Sequence, residues 1–365
     1  MFLSASFRLL VNVESLNSVE SVGNVSRHRS VPVVVPYDSG YTIRYVPAIS
    51  GESIAHGYQS LLVDIALREG LPVGVYSRRK EFLKFSEDTY LKDEGVEPPK
   101  DHDDITRFEV DVLLKDIVAD VGGFLYTPSK SSSQKTSSQE EPSLGQGTGK
   151  RKTRERKIPV KRTSRFQVGY MLPALEDVTN AAALEAQFHV RFLLSKPSKS
   201  TEQEAARLGQ IPYNIEAASA LYTFTFNLDI DGIGVPVNTF GKADQKKEEE
   251  LAKQRVARRK AALKALGLFV SQIAFGARHS RYLPNAELMS CTFALSDIPF
   301  TVSAGNFRNY IERTFTRAEK LSRLLGIKTR VWAAVREEKV QVPDGVKVVS
   351  SPEEIVEELI GSIDQ

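Results

Sequence analysis

Residues 7–14 read Phe-Arg-Leu-Leu-Val-Asn-Val-Glu, and their alternation decides the class of fold. Phe7, Leu9, Val11 and Val13 share one side, and Arg8, Leu10, Asn12 and Glu14 share the other. A period of two marks a strand with one face in a core, so this stretch opens a sheet. Further strands read at Phe166–Leu172, Gln187–Leu194, Leu221–Ile230, Glu287–Leu295 and Arg330–Val335; LYTFTFNLDI (221–230) is aromatic and β-branched throughout. Helical spacing appears in Ile54–Glu69, where Ile54, Tyr58, Leu61, Leu62 and Ile65 recur. Ser50 and Ser53 begin that helix and Gly70-Leu71-Pro72 stops it. Ile105–Ala119, Phe307–Leu325 and Pro352–Ile360 read as helices too. So does Lys246–Leu266, with Glu248–Glu250 early and Arg258–Lys260 late, the order a helix dipole favours. Strands early, middle and late with helices between them predict an α+β or α/β chain with insertions.

Composition sets the outer limits. A chain of 365 residues with 41% hydrophobic and 26% charged residues has material for a core, which excludes a wholly disordered protein. One cysteine, Cys291, excludes an intrachain disulfide and any CxxC motif, and suits a reducing cytoplasm. No uncharged apolar run approaches the ~18 residues of a membrane span. The first residues alternate like a strand and lack a basic n-region, so no secretory leader is expected.

The net charge of +3 hides an uneven distribution. Lys150–Arg165 holds nine basic residues and one acid, a local +8, which leaves −5 for the rest. A basic stretch on a mildly acidic body suggests a polyanionic partner. Ahead of it, residues 128–149 are rich in Ser, Gln, Thr and Gly and read as a flexible loop. Asn17–Arg44 also reads as a loop, punctuated by Gly23, Pro32, Pro36 and Gly40.

Catalytic motifs are missing: there is no GxxxxGK[ST], GxGxxG, HExxH or GxSxG. Cys291 lies in an apolar alternating run, which predicts a buried thiol. Asp101-His102-Asp103-Asp104 has the chemistry of a metal ligand set, but one short segment rarely fills a coordination shell, so a solvated loop before a helix is expected. Asp229 and Asp231 precede Gly232 and read as turn residues.

Four donor-rich turns lie beside strand or helix ends. Arg27-His28-Arg29 can fork onto phosphate oxygens. Ser50, Gly51 and Ser53 offer hydroxyls and free N–H groups at a helix start, with His56 one turn along. Gly276, Arg278, Ser280 and Arg281 load a glycine turn with donors. The fourth is the basic arm that includes Lys161, Arg162 and Arg165. Tyr41, Tyr45, Phe166, Tyr170 and Tyr282 accompany the charge. Cations for phosphates and rings for bases point to single-stranded nucleic acid.

The order of these motifs resembles a known family, the Cas-seven, or DevR-type, backbone subunit of the type I-A CRISPR Cascade, within the RAMP superfamily. The resemblance rests on SFRLLVNVESLNSVESVGN (6–24), SRHRSVPVV (26–34), YVPAISGESIAHGYQ (45–59), DVGGFLYTP (120–128), VKRTSRFQVGYMLPALED (160–177) and AFGARHSRYLP (274–284). It covers most of the chain; residues 129–156 look like a lineage-specific insertion.

The resemblance implies an α+β fold whose core is RNA-recognition-motif-like (ferredoxin-like), with insertions forming a helical domain and a thumb. The corresponding division is 1–73 for the first part of the core, 74–127 for a helical insertion and 128–165 for a flexible basic loop. The thumb would then take 166–215 and the rest of the core 216–365. It implies no catalysis, no cofactor and no metal. Copies would line up along CRISPR RNA in the cytoplasm and present it to target DNA. The partners would be the small, large and five-prime-end subunits and the helicase-nuclease. Arg27, His28, Arg29, Ser50, Gly51, Ser53, His56, Lys161, Arg162, Arg165, Gly276, Arg278, Ser280 and Arg281 would meet RNA. Met171 and Leu172 would be the thumb's apolar wedge. Alternatives are a metal-dependent nuclease of the same superfamily, using Asp101, Asp103 or Asp104, and a stand-alone nucleic-acid-binding regulator.

Overall fold

The computed structural model describes residues 1–128, 158–192, 210–273 and 275–363. They form two compact units. One comprises Met1–Leu62, Phe166–Asp231 and Ala262–Gln365, the other Val63–Arg165 and Gly232–Ala261.

In the first unit, strand β1 (Phe2–Glu14) pairs antiparallel with both β11 (Gln210–Asp229) and β12 (Asn285–Ser296). β13 (Thr329–Val335) and β14 (Lys347–Val348) extend the sheet beyond β12. Beyond β11 comes the hairpin of β2 (Ser18–Val22) and β3 (Val25–His28). Short β8 (Phe166–Val168) and β9 (Leu172–Pro173), and the longer β10 (Ala182–Phe192), also pair antiparallel with β11. Helix α1 (Gly51–Arg68) comes between β1 and β8 in sequence, and α6 (Gln245–Gln272) between β11 and β12. The chain thus runs strand, helix, strand, strand, helix, strand, and the sheet order is β12-β1-β11-β8. α7 (Tyr310–Leu325) and α8 (Pro352–Gly361) follow. The helices over 310–325 and 352–361 and the strands over 285–296 and 329–335 fall where the periodicity predicts them.

β1 is buried on both faces. Leu3, Ala5, Phe7, Leu9 and Val11 fill one side, and Ser4, Ser6 and Arg8 are equally buried on the other. The polar side is tolerable because it is bonded. Ser4 Oγ donates to Asn227 Oδ1 at 2.6 Å, Ser6 Oγ accepts from Gly305 N–H, and Arg8 reaches Gly305 O, Glu337 and Asp177. Val13 departs from the expected inner face. A register shift between Val11 and Glu14 gives it a φ of +53° and turns it outward, and Glu14 is buried instead.

Asn17–Arg44 is not a loop. Besides the β2–β3 hairpin it holds β4 (Ser30–Tyr37), which pairs with β5 (Gly40–Pro47) as a separate two-stranded sheet. Val33, Val35 and Val46 form its inner face, packed with Val178. The glycines and prolines that suggested a loop mark its turns and its outer positions.

The second unit carries α2 (Val75–Arg78), α3 (Asp88–Glu94), α4 (Ile105–Lys115), α5 (Ile117–Gly122) and the pair β6 (Phe124–Tyr126) and β7 (Val160–Arg162). The single helix expected over 105–119 is two. Asp116 adopts an extended conformation and caps α5 through Val118 N–H. Phe85, Leu91, Phe108, Leu113, Phe124, Tyr126 and Leu251 form its core. The expected helical insertion at 74–127 is therefore part of a larger unit that also takes in 232–261. Glu109 and Asp120 account for that, because they accept the backbone N–H groups of Val237, Asn238 and Gly234.

Cys291 is wholly buried, and burial pushes its thiol up to about 12. Expected outcome: near pH 8 a disulfide reagent modifies no thiol in the folded protein and one after denaturation. Rapid modification of the native chain would contradict this burial.

Candidate nucleic-acid interface

Three of the four donor-rich turns meet at one short stretch, Ser15-Leu16-Asn17, which follows the β1 bulge. Glu14, turned inward, accepts Leu16 N–H at 2.7 Å. Asn17 Oδ1 then accepts Ser50 N–H at 2.8 Å and Arg29 Nε–H at 3.1 Å, while Asn17 O accepts Arg29 N–H at 3.0 Å. Leu16 O accepts Ala277 N–H at 2.8 Å. This brings Arg29, the start of α1 and the Gly276 turn together. Gly276 has a φ of +91°, and a Cβ there would stand 2.7 Å from Leu16 O. Only glycine allows that approach.

The turn from Gly276 to Tyr282 ends against the β10–β11 ribbon. Arg278 and Arg281 are exposed cations held at one end each: Arg278 donates to Ser26 Oγ at 2.8 Å and Arg281 to Tyr213 Oη at 2.9 Å. β3 lies parallel to β11 at Ser26 and Ile215, so exposed Arg27 is on the adjoining strand. His189 stacks on Tyr213, with ring centroids 5.2 Å apart, and meets Tyr282 edge-on while hydrogen-bonding its hydroxyl. The result is a surface with two exposed guanidiniums beside stacked rings, which can hold phosphates and receive bases. Ser280 is exposed in the same turn. Sequence reasoning missed Asn17, His189 and Tyr213. The only signal for the last two was their aromatic character within alternating runs.

Several expected contacts fall elsewhere. His28 is buried in β3, with Nε2 2.8 Å from Glu14 Oε1, so it cannot reach a phosphate. Ser50 is buried and caps α1, its Oγ accepting Ser53 N–H at 3.3 Å. Gly51 serves packing, since a Cβ would press on Val168 O and Gly169 O. His56 is exposed one turn along, near Ser60. Arg162 is fully buried in the second unit, paired with Glu109 and Asp120, and is a core residue. Lys161 is exposed there, and Arg165 is half-buried with its N–H on Val121 O. The rest of the basic arm and of the flexible loop, 129–157, lies outside the described residues, as does thumb segment 193–209.

Met171 has 0% of its surface exposed, and its backbone bridges Ile49. Leu172 packs beside Val33, Val35 and Val46. Neither is a projecting wedge, because Met171 is bridged to Ile49 and Leu172 opens β9 on the sheet. Among the described residues of the 166–215 region, the most exposed large apolar side chain is Phe188 on β10, at 67%, ahead of Tyr170, Leu184 and Val190. Of the rings, Phe166 is buried against Tyr58 and Phe226, and Tyr282 is buried too. Arg29 lies over Tyr170, and Tyr41 and Tyr45 are each 76% exposed.

The acidic segment is a 3-10 turn, His102–Asp104. Asp104 binds Arg107, whose guanidinium holds the carboxyl below its usual range. No group of three or more His, Cys, Asp or Glu placed to hold a metal ion occurs among the described residues. No helix among them is long and apolar enough to cross a membrane.

A family model described as CRISPR-associated negative auto-regulator DevR/Csa2 matches residues 5–315. The chain belongs to the DevR/Csa2 family. Among relatives, the CRISPR-associated aCascade subunit Cas7/Csa2 2 of Saccharolobus solfataricus is 44% identical over 98% of this chain and 99% of its own. CRISPR-associated protein Cas7/Csa2 1 of the same organism is 35% identical over 91% of each. A chain of a solved CRISPR RNA-guided surveillance complex, pre-nicking, is similar in fold, with a TM-score of 0.52 at 10% identity and full coverage of both chains. The matched span includes the Ser26–Arg29, Ser50 and Gly276–Arg281 elements of the interface.

Proposed function

We propose that this chain is a non-catalytic, guide-RNA-binding backbone subunit of a type I-A Cascade. Copies line up along the CRISPR RNA in the cytoplasm and present it to target DNA, beside the small, large and five-prime-end subunits and the helicase-nuclease. The observation that carries this reading is the Arg278–Arg281 turn. It sets exposed cations beside stacked His189 and Tyr213 and is tied through Leu16 to Asn17, Arg29 and Ser50. The name of the Saccharolobus relative, an aCascade subunit, supports the assembly. The β12-β1-β11-β8 order with helices after the first and third of its strands in the chain supports an RNA-recognition-motif-like core. Phe188 replaces Met171 and Leu172 as the thumb's apolar side chain.

The test is single-stranded RNA binding against salt. Arg278→Ala, Arg281→Ala should weaken binding for every sequence alike, by roughly tenfold or more. It should also flatten the log-affinity against log-salt slope by about 1.4, the share of two phosphate contacts on a single strand. A loss confined to one base, or an unchanged slope, would count against backbone contacts. Cleavage of labelled target RNA with a divalent metal would instead favour a nuclease.

A further inference from the structure

His28 sits where its charge decides the shape of the interface. Its side chain is wholly buried, yet both ring nitrogens face acceptors. Nδ1 is 2.9 Å from Arg29 O, and a carbonyl can only accept. Nε2 is 2.8 Å from Glu14 Oε1, which also accepts Tyr222 Oη–H at 2.7 Å. The Nδ1 contact needs a proton on that nitrogen, and Nε2, at ion-pair distance from Glu14 but outside hydrogen-bond alignment, would set a bare lone pair against the carboxylate unless it too is protonated. The charged groups facing the residue are Glu14 from β1 and Glu216 from β11, whose carboxylate accepts His28 N–H at 2.8 Å. Tyr222 and the Arg29 carbonyl complete the surroundings.

We propose that His28 is a positioning residue: as an imidazolium clamped between Glu14 and the Arg29 carbonyl, it holds the Leu16–Asn17 turn on which the RNA-facing elements converge. Glu14 is the link, since its other oxygen accepts Leu16 N–H. A neutral ring has one proton for two acceptors, so one contact becomes repulsive, and Glu14 is then held only by Tyr222 Oη–H and Leu16 N–H. Burial pulls the ring pKa down, but Glu14, the Arg29 carbonyl and Glu216 outweigh it, and the net direction is upward from 6.5. A raised value means that the contribution is complete below 6.5 and is lost as pH rises through the folded value.

The RNA part of this inference rests on the proposed function, and the experiment separates the two. Nitrogen-15 spectra of ring-labelled histidine in the RNA-free protein should show His28 with both nitrogens protonated above pH 6.5. A ring with one proton there overturns the proposal whatever the RNA result. Affinity for a fluorescent, unstructured RNA oligonucleotide, followed from about pH 6 to about pH 9, should fall several-fold for wild type with the same midpoint. Melting at each pH confirms that the chain stays folded. His28→Asn should be weak and flat across that range. Glu216→Gln, which keeps the clamp but removes one carboxylate, should move the midpoint to lower pH. Equal slopes for wild type and His28→Asn, or an unmoved midpoint in Glu216→Gln, overturn the proposal. Wild type that binds no RNA at any pH overturns the proposed function and leaves the ring spectra to decide the charge.

Discussion

Arg162→Ala will unfold the second unit rather than weaken RNA binding. All five guanidinium N–H donors are engaged: Nε on Asp120 O, one terminal nitrogen on Glu109 Oε1 and Val235 O, and the other on Asp120 Oδ1 and Gly232 O. Glu109, Asp120 and Arg258 are equally buried. Removing one arginine from two arginines and two carboxylates leaves a buried negative charge without its partner, which costs about 3–5 kcal/mol. Against a domain stability of about 5–15 kcal/mol, that is a large share. Arg162→Lys should rescue little, because an ammonium cannot form the fork. Denaturant melts followed by circular dichroism test this. A normal melt with weakened RNA binding would restore Arg162 to the nucleic-acid contacts.

Gly276→Ala will damage stability and RNA affinity together. The added methyl group meets Leu16 O at 2.7 Å, and the backbone must hold a φ of +91°. Strain and overpacking together should cost about 2–4 kcal/mol. The same displacement breaks the Ala277-to-Leu16 hydrogen bond, which carries Arg278 and Arg281 to their places. Gly23→Ala is the control. Its φ of +62° is also left-handed, but nothing stands within 4 Å of the new methyl, so strain alone remains. Thermal melts and RNA titrations of both variants should rank Gly276→Ala well below Gly23→Ala. Equal behaviour would remove the role assigned to the close approach.

The strands and long helices were legible because period two and period 3.6 survive in the local sequence. Charge placement was not. Arg162 and Lys161 are neighbours in one basic run, yet one is buried and the other exposed. What separates them is a pair of carboxylates 53 and 42 residues away, which no local pattern announces. Asn17 was hidden for the same reason: its three bonds run to Arg29 and Ser50, brought close only by the fold. The Gly276 turn was legible because glycine and arginine carry their meaning locally. β4 was missed because Pro32 and Pro36 outweighed the alternation of Val31, Val33 and Val35.

Those two prolines have a use of their own. Residues two apart along a strand point their N–H groups the same way. β4 pairs with β5 from end to end, so Pro32 and Pro36 belong to the set that faces away from β5. No strand among the described residues pairs with that side. Half of the four outward donors at 30, 32, 34 and 36 are therefore missing. A stray chain trying to add itself there would find a ladder with absent rungs. The hairpin can then display Tyr41, Ile43 and Tyr45 to solvent without also offering its edge as a template for aggregation.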